Sequence, residues 1–383
     1  MRFSVDAHAI GRNLTGNEVY IRNLLNGFVA LDDNSEFIAY VSEEHAPEAL
    51  PERIRCSSVS GNPFVRLGFE LTKRLRQDRP DLLHVQYTAP LACPVPVVVS
   101  VHDISFLEHP EYFPPARAFQ LQMTVKRTVR AAARVLTPSE FSARMIRKAY
   151  RLDESKVTVV PNGVGAHFRP SSRESAQGVV RARFGIPEPY VLMVGDLQPR
   201  KNQVGLIHAF DELLRAHPDL PHHLVLAGQD SWYASNVRRM ASRSPSSSRI
   251  HFTGFVDDES LQHLYSGCDL FVFPSLYEGF GIPILEAMAC GRAVACSNST
   301  AVVEVADGAA IVFDPTSPAE MMRAMRDVLL DTELRTRMER LGQQRAAAFD
   351  WRDAARRTLA VYHEVAGVGR QTATKTKAVF APR

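Results

Sequence analysis

FPSLYEGFGIPILEAMACG, residues 273–291, follows an apolar run at residues 269–273 that is typical of a buried strand. Residues 278–281 form a glycine-containing turn. Pro283 then favours the start of a helix, and Gly291 favours its end. A strand, a tight turn and a helix in this order predict one unit of a parallel α/β sheet.

Two kinds of ligand-binding group meet in this stretch. The glycines allow a ligand to approach the backbone closely, and the helix N-terminus offers N–H groups that suit phosphate. Glu278 and Glu286 bracket the turn, and carboxylates accept hydrogen bonds from hydroxyl groups. The stretch therefore predicts a ligand with both phosphate and sugar hydroxyls. The alternative is an ordinary strand and helix that carry two solvated glutamates.

With Glu278 and Glu286 separated by seven residues, the stretch resembles the signature of the retaining, GT-B-fold glycosyltransferases of family 4. The resemblance extends to about residue 366. It implies an α/β fold of two Rossmann-like domains whose parallel sheets face an interdomain cleft. It also implies transfer of a hexose from a nucleotide diphosphate sugar to a hydroxyl, with retention at the anomeric carbon.

Length and composition agree with a two-domain globular protein. The chain has 383 residues and a net charge of +3, which does not argue for nucleic acid as a partner. Its five cysteines are scattered, which predicts free thiols of a reducing compartment. The N-terminus starts directly as a strand without a signal peptide, and we expect a cytoplasmic protein.

Strands and helices alternate along the chain, which predicts βαβ units and parallel sheets, and the length of the chain suggests two domains. Residues 1–168, completed by a C-terminal helix at 351–366, form the predicted acceptor-binding domain. The polar residues 169–178 read as a linker, and residues 178–350 form the predicted nucleotide-sugar-binding domain. Residues 367–383 are predicted to be a disordered tail.

Five residues of the first domain are candidates for a site. Gly16 lies in the loop 11–18 between the first strand and a helix predicted at 19–31, at the sheet edge where ligands bind in open α/β folds. His102 and Asp103 follow the strand at 95–101. The resemblance implies that His102 faces the transferred sugar, that Asp103 orients His102 or the loop, and that Asn162 and Gly163 close the domain beside the cleft.

The second domain offers a pair of cations after its first strand. Arg200 and Lys201 lie in the loop Pro199–Asn202, and forked and point-charge donors suit a diphosphate. The resemblance implies that Glu278 holds sugar hydroxyls and Glu286 the ribose hydroxyls. It also implies a catalytic set of His102, Glu278, Lys201 and Arg200, and a donor-binding set of Gly16, Gly195, Val256, Phe280, Gly281, Ile282, Leu285 and Glu286.

The sequence specifies the sugar donor and the acceptor less narrowly than the fold. Pro199-Arg200-Lys201-Asn202 resembles a variant of mannosyltransferase-like members, which favours GDP-mannose ahead of UDP-linked sugars. Neither half of the chain carries an Asp-x-Asp metal site, so we expect no metal or other cofactor. The acceptor is a lipid-linked oligosaccharide, a polysaccharide precursor or a small molecule.

Residues 117–151 are strongly basic, with nine lysines and arginines against the single Glu140. Apolar residues are interleaved among these cations. The segment is either a solvated helix face or an interfacial patch for anionic lipid or a lipid-diphosphate acceptor. The second interpretation would place the protein peripherally on the inner face of a membrane.

Two alternatives of other classes remain. The first is another GT-B enzyme, such as a sugar-nucleotide epimerase or a phosphorylase, although no motif for the lysine that holds pyridoxal phosphate is visible. The second is a catalytically silent partner subunit that binds a sugar nucleotide. Glu278, Glu286, Lys201 and His102 are all present, which argues against a silent protein.

Overall fold

The computed structural model describes residues 1–12 and 15–379, and it describes side chains for these residues except Thr15 and 368–379. The chain divides into two compact units. Met1–Gly163 together with the C-terminal segment that begins at Asp350 forms unit 1, and Val164–Phe349 forms unit 2.

Unit 1 is built on a parallel sheet of seven strands in the order β3-β2-β1-β4-β5-β6-β7. The strands are β1 Arg2–Asp6, β2 Glu36–Val41, β3 Ile54–Ser58, β4 Leu82–Gln86, β5 Val97–Ser100, β6 Arg134–Thr137 and β7 Val157–Val159. The connecting helices are α1 Thr15–Ala30, α2 Pro63–Val65, α3 Leu71–Asp78, α4 Ser105–Glu108, α5 Pro115–Ala131 and α6 Glu140–Tyr150, and a π-helical turn, Arg66–Glu70, precedes α3.

Unit 2 contains a second parallel sheet, of six strands, in the order β10-β9-β8-β11-β12-β13. The strands are β8 Tyr190–Val194, β9 His223–Ala227, β10 Ile250–Gly254, β11 Leu270–Phe273, β12 Val294–Ser297 and β13 Ile311–Phe313. The helices are α7 Arg173–Phe184, α8 Gln203–Ala216, α9 Ala234–Arg243, α10 Asp258–Gly267, α11 Ile282–Ala289, α12 Val302–Ala306, α13 Pro318–Leu330 and α14 Thr332–Ala346.

The core of unit 2 lies on both faces of its sheet. Along β11, Leu270 and Val272 belong to one buried apolar cluster, whereas Phe271 and Phe273 belong to another. Successive side chains of a strand point to opposite faces, so helices cover both sides of this sheet. The prediction of α/β units with parallel sheets is therefore confirmed.

The last helix, α15 Trp351–Val379, belongs to unit 1. It packs along α1, where a Cβ added to Gly27 would lie 2.6 Å from the Cβ of Ala355. The helix enters the segment 367–383 that was predicted to be disordered, and Lys, Gln and Ala in this segment are good helix formers. Residues 380–383 lie outside the described residues.

Three boundaries differ from the sequence-based expectation. Helix α1 begins at Thr15 instead of residue 19, and Glu18 in its first turn accepts a hydrogen bond from Gly11 N at 3.0 Å. Strand β6 lies inside the basic segment and was not predicted, because its four residues directly follow a helix. Helix α7 begins inside the predicted linker, where the Ser172 hydroxyl caps it by accepting from Ser175 N at 3.3 Å.

Candidate active site

Two cations and a carboxylate meet at the carboxyl edge of the unit 2 sheet. Strands β8 and β11 are neighbours, so the loops that follow them lie side by side. Lys201 Nζ donates to Glu278 Oε1 at 2.6 Å, and Arg200 Nη1 lies 2.8 Å from Glu278 Oε2. The structure thus brings three predicted residues together. Two of them, Lys201 and Glu278, lie 77 positions apart in the sequence.

Burial and charge act against each other in this cluster. Burial alone raises the pKa of Glu278, but the charges of Arg200 and Lys201 and their hydrogen bonds outweigh it and lower this pKa to about 2. The pKa of Lys201 is lowered by burial, although the charge of Glu278 partly opposes that change. Glu278 is therefore ionised throughout the neutral range, and the three groups form one buried polar network.

Hydrogen bonds between side chains and the main chain connect the loops that carry these groups. Asn202 has a left-handed backbone, with φ of 58°, and its Nδ2 donates to Pro274 O at 3.2 Å and to Pro315 O at 2.7 Å. Glu278 N donates to Thr300 Oγ1 at 3.0 Å. The site is thus held in place by its own loops, which is the condition for electrostatic preorganisation.

Glycines let two strand ends approach closely. Gly195 N donates to Ala227 O at 2.8 Å, and Gly228 N donates to Gly254 O at 3.0 Å. A Cβ added to Gly228 would lie 2.2 Å from Gly195 O, and the φ of Gly228 is +153°. Only glycine fits this backbone contact, and at Gly195 a Cβ would lie 3.2 Å from the Lys201 side chain.

The predicted glycine-rich turn is present before α11. Gly281, with φ of +119°, occupies the N-cap position, and the helix begins at Ile282. The side chains of Phe280 and Leu285 are buried in the core with the partly buried Val256. The side chains of these two donor-binding candidates, Phe280 and Leu285, therefore belong to the core of unit 2.

Glu286 lies one turn into α11 in a second buried pair. The Tyr265 hydroxyl donates to Glu286 Oε2 at 2.8 Å, and both side chains are buried. Burial raises the pKa of Glu286 to about 7, although the hydrogen bond from Tyr265 opposes this shift. A protonation equilibrium of Glu286 thus falls in the physiological range.

Unit 1 places His102 in a pocket of aromatic rings at the end of β5. Its Nε2 lies 2.8 Å from Gln86 Oε1, and the ring of Tyr20 meets it edge-on at a centroid distance of 4.6 Å. Burial lowers the pKa of His102 to about 4, so the ring is neutral at physiological pH. Asp103 accepts from Ser105 N at 2.8 Å and from Ser105 Oγ at 2.6 Å, and it thereby orders the loop.

The other candidates of unit 1 lie in the first turn of α1 and at the end of the segment Met1–Gly163. Gly16 is exposed, and a Cβ there would meet nothing within 4 Å. A Cβ on Gly163 would lie 2.2 Å from Trp351 N, so this glycine allows the start of α15 to pack against it. Asn162 is buried beside it.

Several residues of these sites escaped the sequence analysis. Gln86, Tyr20 and Tyr265 have no motif that marks them, since each acts through a partner on another element. Their only sequence signal is a polar group at a strand end or on a largely buried helix, and that signal is shared with many structural residues.

The basic segment 117–151 is not one helix but contains α5, β6 and α6. Three of its cations make structural contacts: Arg127 binds Ala89 O and Pro90 O, Arg134 binds Ser155 O and Glu364, and Arg147 binds Glu154. The others are exposed, namely Arg117, Lys126, Arg130, Arg144, Lys148 and Arg151. Ser139 caps α6 by accepting from Ser142 N at 3.1 Å.

Within the described part of the chain, no helix combines the length and the apolar character needed to cross a bilayer. No group of three or more His, Cys, Asp or Glu side chains is arranged to hold a metal ion among residues 1–12 and 15–379. All five cysteines are free thiols.

Two parallel-sheet units and a cationic loop facing a glutamate define the GT-B class of glycosyltransferase. Residues 180–345 match the family described as "Glycosyl transferases group 1", and residues 14–168 match "Glycosyltransferase Family 4". The chain is 31% identical over 265 residues to O-antigen chain mannosyltransferase B of Escherichia coli, with 69% of each chain covered. This protein therefore belongs to glycosyltransferase family 4 and is a transferase.

Further relatives and solved structures agree with this assignment. The chain is 31% identical over 267 residues to serotype-specific mannosyltransferase WbdA of Escherichia coli, covering 68% of this chain and 32% of WbdA. Sucrose-phosphate synthase of Thermosynechococcus elongatus superposes with a TM-score of 0.78 at 19% identity, covering 96% of this chain and all of the other. Anabaena HepE, solved with UDP and glucose, superposes with a TM-score of 0.76 at 21% identity, covering 94% and 98%.

Proposed function

We propose that this protein transfers mannose from GDP-mannose to a hydroxyl of a glycan or lipid-linked acceptor, with retention at the anomeric carbon and without a metal. The observation that carries the proposal is the contact of both Arg200 and Lys201 with Glu278 beside the N-terminus of α11. The mannosyltransferase relatives at 31% identity support the choice of sugar.

The central chemical problem is the departure of a nucleotide diphosphate. Lys201 carries three N–H donors and Arg200 five, so each can bind phosphate oxygens while it keeps its contact with Glu278. The N-terminus of α11 adds N–H groups and the positive end of the helix dipole. In this proposal these fixed donors stabilise the negative charge that develops on the diphosphate as the glycosidic bond breaks.

The carboxylates hold hydroxyl groups in the same proposal. Glu278 stays ionised because its pKa is lowered to about 2, so it accepts hydrogen bonds from the transferred sugar. Glu286 accepts from the ribose hydroxyls, most strongly when it is ionised, and His102 positions the sugar. The acceptor hydroxyl attacks from the face that the diphosphate leaves, and the departing phosphate takes its proton, so no separate base is needed.

A membrane-bound acceptor is supported by the surface of α5. Phe119 and Met123, spaced four residues apart on one helix face, are 66% and 58% exposed. Lys126 and Arg130 follow on the same face and are exposed too. Apolar tips beside cations suit the interface of an anionic bilayer, and we include peripheral binding on the cytoplasmic side of a membrane in the proposal.

The experiment that tests this function offers GDP-, UDP-, ADP- and TDP-hexoses to the protein and measures nucleotide release, with and without EDTA. We expect release from GDP-mannose that is insensitive to EDTA, and an α-linked product by NMR from this α-linked donor. Release that requires a divalent ion, or a β-linked product, would contradict the proposed mechanism.

Two other outcomes separate the alternative functions. Binding of a sugar nucleotide without release or transfer, in the presence of glycan and lipid-linked acceptors, would favour a silent partner subunit. Conversion of the donor into an epimeric sugar would favour an epimerase. Calorimetry with GDP and UDP, in parallel with the release assay, distinguishes a protein that does not bind donors from one that binds but does not turn over.

A further inference from the structure

Gln86 connects two parts of unit 1 that the sequence analysis treated separately. It is the last residue of β4 and is buried. Its Oε1 lies 2.8 Å from His102 Nε2, and its Nε2 donates to Asn17 O at 3.1 Å. One amide side chain therefore spans from the His102 ring to the first turn of α1, which also contains Gly16.

The direction of these hydrogen bonds follows from the chemistry of the partners. A backbone carbonyl only accepts, so the side of Gln86 that meets Asn17 O has to be the amide NH₂. The Gln86 oxygen then faces His102, and an amide oxygen only accepts. His102 Nε2 must therefore carry the proton, and the neutral ring keeps an unprotonated Nδ1.

We propose that Gln86 is a positioning residue that fixes His102 in the Nε2–H tautomer and so makes Nδ1 a hydrogen-bond acceptor for the ligand. The identity of that ligand, a hydroxyl of the transferred sugar, rests on the proposed function. The tautomer itself does not, because it follows from contacts within unit 1. In this arrangement His102 receives a hydrogen bond from the sugar and does not donate one.

The groups that surround His102 leave this arrangement intact. Tyr20 and Tyr87 meet the ring edge-on at centroid distances of 4.6 and 5.6 Å. Asp103 is engaged by Ser105, and the nearby His84 lies 2.7 Å from Ser100 Oγ through its Nε2 and 2.5 Å from Tyr362 Oη through its Nδ1. Burial also keeps His102 neutral, since it lowers the pKa to about 4.

The test is long-range ¹H–¹⁵N NMR of the imidazole nitrogens in the full chain near neutral pH. His102→Phe identifies the His102 signals among those of the 13 histidines. We expect a protonated Nε2 and an unprotonated Nδ1 in the wild-type protein. In Gln86→Met, which keeps the volume but loses both hydrogen bonds, we expect a mixture of tautomers.

Gln86→Glu gives a second, independent readout, because a carboxylate beside the ring favours imidazolium and raises the pKa of His102. Gln77→Glu introduces the same charge at an exposed position of unit 1 and should leave the His102 signals unchanged. A wild-type ring protonated on Nδ1, or a tautomer that stays unchanged in a folded Gln86→Met, would overturn the proposal. These signals need no substrate, so a failure of the proposed function would not affect them.

Discussion

Lys201 Nζ and Glu278 Oε1 lie 2.6 Å apart in unit 2, and both side chains are buried. Arg200 completes the cluster at 2.8 Å from the other carboxylate oxygen. A carboxylate between two cations holds both of them at one point of the sheet edge, and there they can meet a diphosphate. The contacts that stabilise this cluster therefore also hold the two cations of the proposed mechanism in place.

The first prediction concerns the stability of this network. We expect Glu278→Gln to lower the free energy of unfolding at neutral pH by about 3–5 kcal/mol, because it leaves the buried Lys201 and the partly buried Arg200 without their counter-charge. Urea unfolding at neutral pH measures this loss. Glu333→Gln, an exposed position on α14, is the matched control and should change stability by less than about 0.5 kcal/mol.

The pH dependence of that loss has a definite sign. The pKa of Glu278 is lowered from 4.5 to about 2, so its stabilising effect is present above about 4.5 and is lost as the pH falls toward 2. The difference between wild type and Glu278→Gln should therefore shrink below pH 4.5. A difference that stays constant from pH 6 down to pH 3 would count against the ion network.

The second prediction concerns Glu286, whose pKa is shifted in the opposite direction. Because this pKa is raised from 4.5 to about 7, Glu286 stabilises the fold most below about 4.5 and loses that effect as the pH rises through 7. We expect the stability of the wild type to decline over this window relative to Glu286→Gln. Urea unfolding of both proteins at pH 5 and pH 8 measures the effect.

The affinity for a nucleotide should depend on the same protonation equilibrium of Glu286. GDP should bind more tightly at pH 8 than at pH 6, since ionised Glu286 is a stronger acceptor for the ribose hydroxyls than the neutral carboxyl group. Glu286→Gln is the control, because the phosphate of GDP still titrates in this variant whereas the side chain at position 286 does not. Equal pH dependence of the GDP affinity in both proteins would show that ionisation of Glu286 does not strengthen nucleotide binding.

The third prediction concerns the close approach of two strand ends. Gly228→Ala places a Cβ 2.2 Å from Gly195 O, so the backbone must move, and we expect a loss of about 1–3 kcal/mol of stability together with weaker GDP binding. Gly178→Ala is the matched control, because a Cβ there meets nothing within 4 Å inside α7. It should stabilise the protein by about 0.5–1 kcal/mol. Thermal unfolding of both variants tests the contrast.

The fourth prediction concerns the surface of α5. Replacing Phe119 and Met123 together by Ser should abolish flotation of the protein with vesicles that contain phosphatidylglycerol, because it removes the apolar contact with the bilayer. Trp232→Ser removes an exposed ring in unit 2 and should leave flotation unchanged. Absence of wild-type binding to anionic vesicles, or equal binding to neutral ones, would refute the membrane proposal.

Much of the fold could be predicted because its signals are local. The buried strands of unit 2 are apolar runs, and Gly281 and Pro283 mark the start of α11 within one residue. Strand β6 could not be found in this way, since residues 131–134 continue the composition of α5. Its strand conformation depends on pairing with β5 and β7, which is information that the local sequence does not contain.

The candidate site shows the same limit. Glu278, Arg200 and Lys201 were recognisable because they stand in a motif, and the structure brings them together. Gln86 and Tyr265 were not, because each is defined by a partner on another element. The pKa shifts also depend on burial, so the sequence could not indicate that Glu278 and Glu286 differ by about five units.

The most direct test of the account is the rate of nucleotide release from GDP-mannose by the wild type, Lys201→Met, Glu278→Gln and Glu333→Gln. Loss of one preorganised charge contact at the leaving group costs about 10²–10³ in kcat, so both site variants should fall by at least that factor while Glu333→Gln keeps the wild-type rate. If a folded Lys201→Met or Glu278→Gln variant released nucleotide at the wild-type rate, this result would contradict the claim that the cluster stabilises the departing nucleotide diphosphate.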